Sequence, residues 1–305
     1  MDNTLTNRLN NNMKKIFTLV AVSVFFALNA QQTANRFFYE LTFKPKKDSV
    51  KLEKVMTVLD ISKDKSIYQD YTGIAQDSII VAAVKKMETS GVFVDIMKMV
   101  KMPKFAYKVT KAYPTMKETY VDRISNKYFG YEDDLKFNWN ILSTKEKVGE
   151  YNTQKATTEY GGRKWTAWFS SDLPFADGPY RFYGLPGLIV KIEDEGKNYS
   201  WELKGNKKIE NYSELTEGEK MLEKYGMSSA VNIISKDKFE KSFDNFKADP
   251  LAEARPYMTP ENMSRKMPGS DVTMGEYLKN QEKMAKDFFN ANNNPIEIPA
   301  AKAKK

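Results

Sequence analysis

The chain has 305 residues, a net charge of +8, and neither cysteine nor histidine. Without histidine, a Ser-His-Asp triad, a Cys-His pair and the histidine-containing zinc sites are excluded, and any catalysis would depend on carboxylates, lysine, tyrosine, serine or arginine. Without cysteine, the fold must be stabilised by its core, to which the aromatic residues, 13% of the chain, contribute much of the apolar area.

A secretory signal peptide is predicted over residues 13–30. Met13-Lys14-Lys15 supplies a charged start, residues 16–28 are apolar, and Ala30 is a small residue at the expected cleavage site. The apolar run is shorter than the roughly 20 residues of a membrane span. We therefore expect export to the periplasm or cell surface, with no transmembrane segment in the mature chain. The polar residues 1–12 have no place in such a signal, so Met1 and Met13 are alternative starts.

The first part of the mature chain is predicted to be rich in strands. Residues 37–43 alternate apolar and polar side chains, and residues 54–61 and 66–72 have the composition of a hairpin. Residues 116–124, 127–131 and 137–142 continue this pattern less clearly. Between these groups, the spacing of Phe93, Ile96, Met97 and Val100 predicts a helical insertion near residues 77–102.

Two hairpins are predicted in the central block. Residues 153–160 and 163–169 are joined at Gly161-Gly162, and adjacent glycines permit the positive φ angles of a tight turn. Residues 188–193 and 199–203 alternate in the same way on either side of a polar turn. These segments complete a strand-rich core domain predicted over residues 31–208.

The remaining residues, 209–305, are predicted to form a helical C-terminal extension that packs on the core. Thr216 and Thr273 each precede a glutamate by three residues, which is the capping-box pattern of a helix start. Phe239, Phe243 and Phe246 share a helix face behind a possible Ser235 cap. Residues 292–298 are expected to form an extended arm, followed by a disordered tail. The predicted fold class is α+β, mainly antiparallel, with a curved sheet or half-open barrel covered by helices.

The most distinctive segment is Asp177-Gly-Pro-Tyr-Arg-Phe-Tyr-Gly-Leu-Pro-Gly-Leu-Ile189. Leu185-Pro-Gly-Leu188 has the sequence of a type II turn, with a positive φ expected at Gly187. We interpret the turn formers as the corner of the fold; they are Gly178, Pro179, Gly184, Leu185, Pro186 and Gly187. The side chains around them are the candidate ligand-binding residues: Arg163, Trp165, Trp168, Tyr180, Phe182 and Tyr183. Core packing is the favoured alternative role for the aromatic residues among them.

Two other kinds of site can be considered from the sequence, a pair of catalytic carboxylates and a copper site formed by methionines. Glu159, Asp172 and Asp177 flank the aromatic block and would suit a two-carboxylate hydrolase acting on a glycan, although a structural role is the favoured interpretation, with the two aspartates stabilising turns. Thioether ligands select Cu(I), so Met97, Met99 and Met102 could suggest a copper site. However, Met97 shares an apolar face with Ile96, where methionine is an ordinary core residue, and the chain has no histidine or cysteine to complete such a site. We predict no catalytic residue, no metal and no cofactor.

The segments Gly161-Gly-Arg-Lys-Trp-Thr-Ala-Trp-Phe169, Asp172-Leu-Pro174, Asp177-Gly-Pro-Tyr180 and Gly184-Leu-Pro-Gly-Leu-Ile189 together resemble the GLPGLI family of secreted Bacteroidota proteins. The similarity is close over residues 151–208, and the leader and the Asn294-Pro-Ile-Glu297 tail are similar as well. The resemblance implies an exported, mainly β protein. It supplies no catalytic residues, and a half-open barrel of the lipoprotein-carrier type is an analogy at the level of the fold.

The favoured function is a non-enzymatic binding or carrier module of the cell envelope. Its partner would be an apolar or amphipathic ligand, such as a lipid, a glycan or a peptide, or else an envelope protein. Because the lysines are dispersed along the chain, no nucleic-acid partner is predicted. The alternatives are the carboxylate hydrolase and a purely structural envelope component.

Overall fold

The computed structural model describes residues 32–298 except 92, 93, 95, 126, 226–229 and 268–270. The predicted signal peptide and the predicted disordered tail lie outside the described residues. The strands are β1 Ala34–Phe43, β2 Glu53–Ile61, β3 Lys65–Asp70, β4 Lys108–Ala112, β5 Lys117–Ile124, β6 Lys127–Asp133, β7 Asn140–Val148, β8 Tyr151–Tyr160, β9 Arg163–Ser170, β10 Leu188–Asp194, β11 Tyr199–Ile209 and β12 Val231–Ile233. The α-helices are α1 Thr72–Ala75, α2 Asp77–Ser90, α3 Glu217–Lys224, α4 Lys236–Ala248, α5 Pro260–Ser264 and α6 Met274–Ala291.

All the strands belong to one 12-stranded sheet, in the order β12-β6-β5-β4-β3-β2-β1-β11-β10-β9-β8-β7. Every neighbouring pair is antiparallel except β12 and β6. The sheet does not close, because β12 and β7 form separate edges. The predicted α+β, mainly antiparallel fold with an open sheet is confirmed.

The sheet curls around residues 171–187, which connect β9 to β10. The guanidinium carbon of Arg181 in this segment is 5.8 Å from the ring of Tyr120 on β5 and 6.0 Å from the ring of Tyr160 on β8. β5 and β8 are eight places apart in the sheet order, which in a flat sheet would separate them by roughly 38 Å at about 4.8 Å per strand. Strands near both ends of the sheet therefore face the same side chain across a half-open barrel.

The core occupies the concave side of this half-barrel. Alternate residues of β1 point into it, as the sequence pattern predicts, and they are buried together with Trp165 and Trp201. The indole N–H of Trp201 on β11 donates to the hydroxyl of Tyr68 on β3 at 2.7 Å, across the intervening β1 and β2. The curvature brings these side chains into contact.

The three predicted hairpins are present as β2–β3, β8–β9 and β10–β11. Gly161 and Gly162 have φ angles of 57° and 71°, as expected for their turn. The strand predicted at residues 137–142 is displaced, since β7 occupies Asn140–Val148. The sequence pattern did not indicate β4, because its alternation includes lysines at positions 108 and 111.

The helices form two groups, one in which α2 contacts α3 and one in which α4 packs on β5 and β6. Both predicted capping boxes are present, at the starts of α3 and α6, whereas Ser235 precedes α4 without a side-chain cap. Phe239 of α4 packs on the rings of Tyr120 and Tyr131, and α6 contacts α4 through Phe289. In the predicted insertion, α2 ends before Gly91, whose φ is 67°, and a short 3-10 turn, Ile96–Lys98, follows, while Phe93 lies outside the described residues. The domain boundary at residue 208 stays a prediction.

Within the described part of the chain, the helices are too short or too polar to cross a bilayer.

Candidate functional site

The distinctive segment forms a loop that enters the half-barrel. Asp177 and Tyr183 pair as an isolated bridge, and the amide of Gly184 donates to the carbonyl of Ala176 at 3.0 Å. Tyr180 lies at the turn between them with a φ of 55°, a conformation that non-glycine residues rarely adopt. The loop is therefore a compact excursion that places the side chains of residues 180–182 inside the barrel.

Two of the candidate aromatic residues complete the core. Tyr180 and Phe182 are 4% and 0% exposed. The ring of Tyr180 stacks on Trp201 at a centroid distance of 6.0 Å, and that of Phe182 lies 4.8 Å from Trp165. In this structure the loop supplies the side chains that fill the concave face.

The glycines of the motif allow other parts of the chain to approach their backbone closely. A Cβ atom added to Gly187 would lie 2.2 Å from the carbonyl oxygen of Ser170, and one added to Gly178 would lie 2.8 Å from the side chain of Ile189. The φ angle of Gly187 is positive, at 148°, as predicted. The hydrogen bond that would close the predicted type II turn is not made, because the amide of Leu188 donates to the carbonyl of Leu173 at 3.0 Å instead of to Leu185. That hydrogen bond fastens the start of β10 to the beginning of the loop.

A buried lysine holds the loop from the β4 side. The Lys111 ammonium lies 2.5 Å from a carboxylate oxygen of Asp177, and both side chains are almost fully buried. The same ammonium donates to the carbonyl oxygens of Gly178, Tyr180 and Phe182 at 2.9 to 3.4 Å. Asp177 therefore acts as the counter-ion of an internal anchor. Sequence reasoning missed Lys111, whose only signal is its place on the same strand face as the buried Val109.

Arg181 is the centre of a second internal charge cluster. Its side chain is fully buried and forms ion pairs with Glu118, with Asp133 at 2.9 Å and with Glu297 at 3.0 Å. The guanidinium carbon lies within 6.0 Å of the rings of Tyr120, Tyr131 and Tyr160. The carboxylates come from β5, β6 and the C-terminal arm, which we define as residues 293–298. The cluster thus connects distant parts of the chain.

The pKa values of two carboxylates in the cluster are shifted in opposite directions. Burial raises the pKa of Glu118 to about 7, because removal from water outweighs the attraction of Arg181 and Lys111. One oxygen of Glu118 is buried without a hydrogen-bond partner. Burial also acts to raise the pKa of Glu297, but the charge of Arg181 and the Tyr180 hydroxyl outweigh it and hold that pKa below its usual value. Glu118 is therefore the titratable member of the cluster near neutral pH.

The C-terminal arm closes one end of the half-barrel. Arg163 donates to the Asn294 side chain and to the carbonyls of Pro295 and Ile296 at 2.8 to 2.9 Å, while pairing with Asp194 at 3.0 Å. Gly161 and Gly162 leave room for the arm, because a Cβ on either would come within 3.0 to 3.1 Å of it. In this structure the candidate ligand residue Arg163 binds a segment of its own chain.

The remaining candidates, Trp168 and Tyr183, lie outside the aromatic core on the concave face. Trp168 is on the opposite face of β9 from Trp165, as the alternation predicts, with the ammonium groups of Lys155 and Lys191 at 5.3 and 4.7 Å from its ring. Its indole N–H donates to Glu146. Tyr183 is half-buried, and its hydroxyl donates to the carbonyl of Leu135. The structure thus brings Trp165, Tyr180 and Phe182 together and separates Trp168 from them, and the assignment of all six candidates to ligand binding stays a prediction.

A surface cleft of about 550 Å³ lies between the β7–β8 hairpin and the beginning of the loop. Its apolar base is formed by Phe169 and Pro186, and its other lining residues are Lys145, Glu146, Lys147, Asn152, Thr153, Gln154, Ser171 and Asp172. β7 is an edge strand, so its outer backbone groups face away from the rest of the sheet. Sequence reasoning singled out Pro186 and Asp172 but not the strand residues opposite them.

The three carboxylates considered for hydrolysis do not form a shared site. Asp177 is buried against Lys111, whereas Glu159 and Asp172 are exposed. Glu159 is adjacent in β8 to Tyr160, which faces Arg181, so its side chain points to the other face of the sheet. The two opposed carboxylates needed by a glycosidase are therefore not provided by this set.

Residues 159–191 match a family model described as a protein of unknown function (Porph_ging). The matched region contains β9, the whole loop and the start of β10, which are the elements that carry the aromatic core and Arg181. No curated protein matches the chain.

Among solved structures, the chain is similar to PNGF-II in C2 and P21 space groups, at 14% identity over 71% of this chain, with TM-scores of 0.47 and 0.45. It spans about a third of the length of those proteins, 33% and 34%. It is also similar to a Vibrio parahaemolyticus domain whose name relates it to outer membrane lipoprotein sorting, at 10% identity over 66% of this chain and 93% of that one, with a TM-score of 0.25.

Proposed function

We propose that this protein is an exported, non-enzymatic binding module of the cell envelope, of the GLPGLI type, and that it holds an extended acidic peptide segment of an envelope partner in the cleft beside the motif loop. The cleft is the observation that carries the proposal. It combines an accessible volume of about 550 Å³ with two lysines, two side-chain amides and an apolar base. The volume lies within the range of about 300–1,000 Å³ found for ligand clefts, and the many polar side chains suit a charged ligand better than an apolar one.

The position of the cleft favours an extended peptide. Lys145, Glu146 and Lys147 belong to the edge strand β7, and a peptide strand can add to such an edge through main-chain hydrogen bonds. Glu146 is already paired with Lys155 at 2.9 Å and accepts from Trp168, so it repels an incoming carboxylate less than an unpaired glutamate would. Lys145 and Lys147 then supply complementary charge for acidic side chains.

An apolar ligand bound on the motif aromatics is less well supported. Trp165, Tyr180 and Phe182 are in contact with one another and with Trp201, so a ligand that reached them would have to displace the loop. Binding in the cleft requires no such displacement.

The proposal is tested by thermal unfolding and calorimetry of the chain that begins at residue 31. The probes are synthetic extended peptides rich in Asp and Glu, scrambled basic peptides, neutral oligosaccharides and a fatty-acyl probe. We expect the acidic peptides alone to raise the unfolding temperature, because a ligand at 100 times its Kd stabilises the folded state by about 2.7 kcal/mol. Lys145→Glu/Lys147→Glu should abolish the shift, while the matched exposed pair Lys279→Glu/Lys283→Glu on α6 should preserve it. If the fatty-acyl probe binds and the β7 substitutions do not affect its binding, the proposal of binding in the cleft is refuted and binding among the buried aromatic side chains is supported.

A further inference from the structure

Two loops project together from the end of the half-barrel opposite to the cleft. One is residues 44–52, between β1 and β2, and the other is residues 96–104, before β4; we call their combined surface the basic tip. Lys104 of the second loop forms an ion pair of 2.6 Å with Glu53, the first residue of β2, directly after the first loop. The ring of Phe43 at the end of β1 lies 5.0 Å from that of Phe105, directly after the second loop. The bases of the two loops therefore lie together at the same end of the half-barrel.

Apolar side chains protrude from the basic tip. Val50 is 97% exposed, and Leu52, Met99 and Met102 are 52%, 49% and 54% exposed. Single exposed apolar residues are ordinary, but a group at one end of a molecule marks an interaction surface. Burial of these side chains in an apolar phase would be favourable.

Lysines flank the apolar residues in the sequence of both loops. Lys46, Lys47, Lys51 and Lys101 are exposed on the two loops, and Lys104 and Lys44 lie partly exposed beside them. The acidic residues among the described positions of these loops and the adjoining start of β2 are Asp48 and Glu53, and Glu53 is paired with Lys104. Exposed apolar side chains interspersed with lysines are complementary to an anionic membrane surface, where the lysines meet lipid headgroups and the apolar groups enter the interface.

The basic tip is firmly held by the fold. The amide of Lys104 donates to Asp70 at 2.9 Å, and the amide of Lys101 donates to Gln76 at 2.7 Å. In the other loop, the amide of Lys47 donates to Asn293 at 3.0 Å and a turn joins Ser49 to Lys46. Little ordering is required on binding, since the loops already have fixed positions.

We propose that the basic tip docks this protein on the surface of an anionic lipid bilayer. The docking also orients the molecule. β10 begins at Leu188, next to the cleft residue Pro186, and finishes at Asp194, near Tyr199, which pairs with Phe43 at the base of the basic tip. The cleft therefore faces away from the bilayer when the tip is docked, where it remains open to a partner. The inference stands independently of what the cleft binds.

Flotation with lipid vesicles tests the proposal on the chain that begins at residue 31. We expect binding to vesicles containing phosphatidylglycerol, weakening as salt is added, and no binding to phosphatidylcholine alone. Lys46→Gln/Lys47→Gln/Lys51→Gln should lower the partition coefficient on the order of 100-fold, at about fivefold for each lysine near a charged surface. Val50→Asp/Leu52→Asp should also weaken binding although it leaves every lysine in place. Thermal unfolding of each variant checks that the fold is retained.

Controls distinguish lipid binding through the basic tip from binding through the positive charge of the whole protein. Lys279→Gln/Lys283→Gln/Lys286→Gln on α6 removes the same charge elsewhere, and Lys302, Lys304 and Lys305 are present in every variant. In Val50→Trp, the tryptophan emission should shift to the blue on anionic vesicles. Absence of binding to these vesicles at low salt, an equal loss in the α6 variant, or binding to a soluble acidic polysaccharide without binding to vesicles would each overturn the proposal.

Discussion

Replacement of Arg181 by methionine is the sharpest test of the internal charge cluster. Methionine keeps an unbranched side chain but removes the cation that faces Glu118, Asp133 and Glu297. Glu118 is fully buried, and one of its oxygens already has no hydrogen-bond partner. Removal of one partner from a buried ion pair costs about 3–5 kcal/mol, because the other charge is left in a medium of low polarity. We expect Arg181→Met to lose stability in this range near pH 8.

The loss should depend on pH and on Glu118. Near pH 5 the Glu118 carboxyl is protonated, since burial raises its pKa to about 7, so it requires the cation much less. Arg181→Met should therefore be less destabilising near pH 5 than near pH 8. The double variant Arg181→Met/Glu118→Leu removes both charges and should recover at least half of the loss at pH 8, because apolar replacements of buried ion pairs are often tolerated.

Denaturant unfolding followed by tryptophan fluorescence measures these differences, since Trp165 and Trp201 are almost fully buried in the same core. Arg265→Met is the control, because the ion pair of Arg265 with Glu261 is exposed and should contribute less than about 1 kcal/mol. A loss below about 1 kcal/mol for Arg181→Met at pH 8, or equal losses at both pH values, would refute the reasoning.

Three further substitutions examine the titration of the cluster, the corner of the loop and the C-terminal arm. Because the folded state raises the pKa of Glu118 from 4.5 to about 7, it binds this proton more tightly than the unfolded chain, and the wild type should lose about 3 kcal/mol relative to Glu118→Gln as pH rises between these values. Unfolding curves at a series of pH values measure this, and a constant difference would contradict it. Gly187→Ala places a Cβ 2.2 Å from the carbonyl oxygen at the end of β9 and should cost about 3 kcal/mol or more, whereas Gly205→Ala enters open space and should change stability by less than about 0.5 kcal/mol. Similar stabilities for the two variants would show that the corner tolerates a side chain. Arg163→Met removes three hydrogen bonds to the C-terminal arm and should accelerate amide exchange at Ile298 at least about tenfold. Unchanged exchange there would show that other contacts hold the arm.

The local elements were predictable because their signals are local. Alternation of apolar residues indicated β1, and the glycine pair at 161–162 indicated the β8–β9 turn. Threonine and glutamate three residues apart marked the starts of α3 and α6, since the capping box is formed within one helical turn. Each of these patterns reports on residues that are neighbours in the chain.

The candidate site was less predictable because it is assembled from distant residues. Lys111 and Glu118 are charged side chains at inward positions of their strands, and their partners Asp177 and Arg181 are more than 60 positions away in the sequence. A charged residue on a strand ordinarily indicates a solvent face. The periodicity of β4 and β5 therefore gave no indication that these side chains enter the core, and the role of Arg181 could not be recognised without its partners.

The same contacts determine where a ligand can bind. Two segments of the chain fill the half-barrel: the motif loop, anchored by Lys111 and Arg181, and the C-terminal arm, anchored by Arg163. All three anchors take part in buried ion pairs, so displacement of either segment by a ligand would leave buried charges without partners unless the ligand supplied replacements. A purely apolar ligand supplies none. Recognition without such a penalty is available at surfaces that are already open, such as the cleft at one end of the half-barrel and the basic tip at the other.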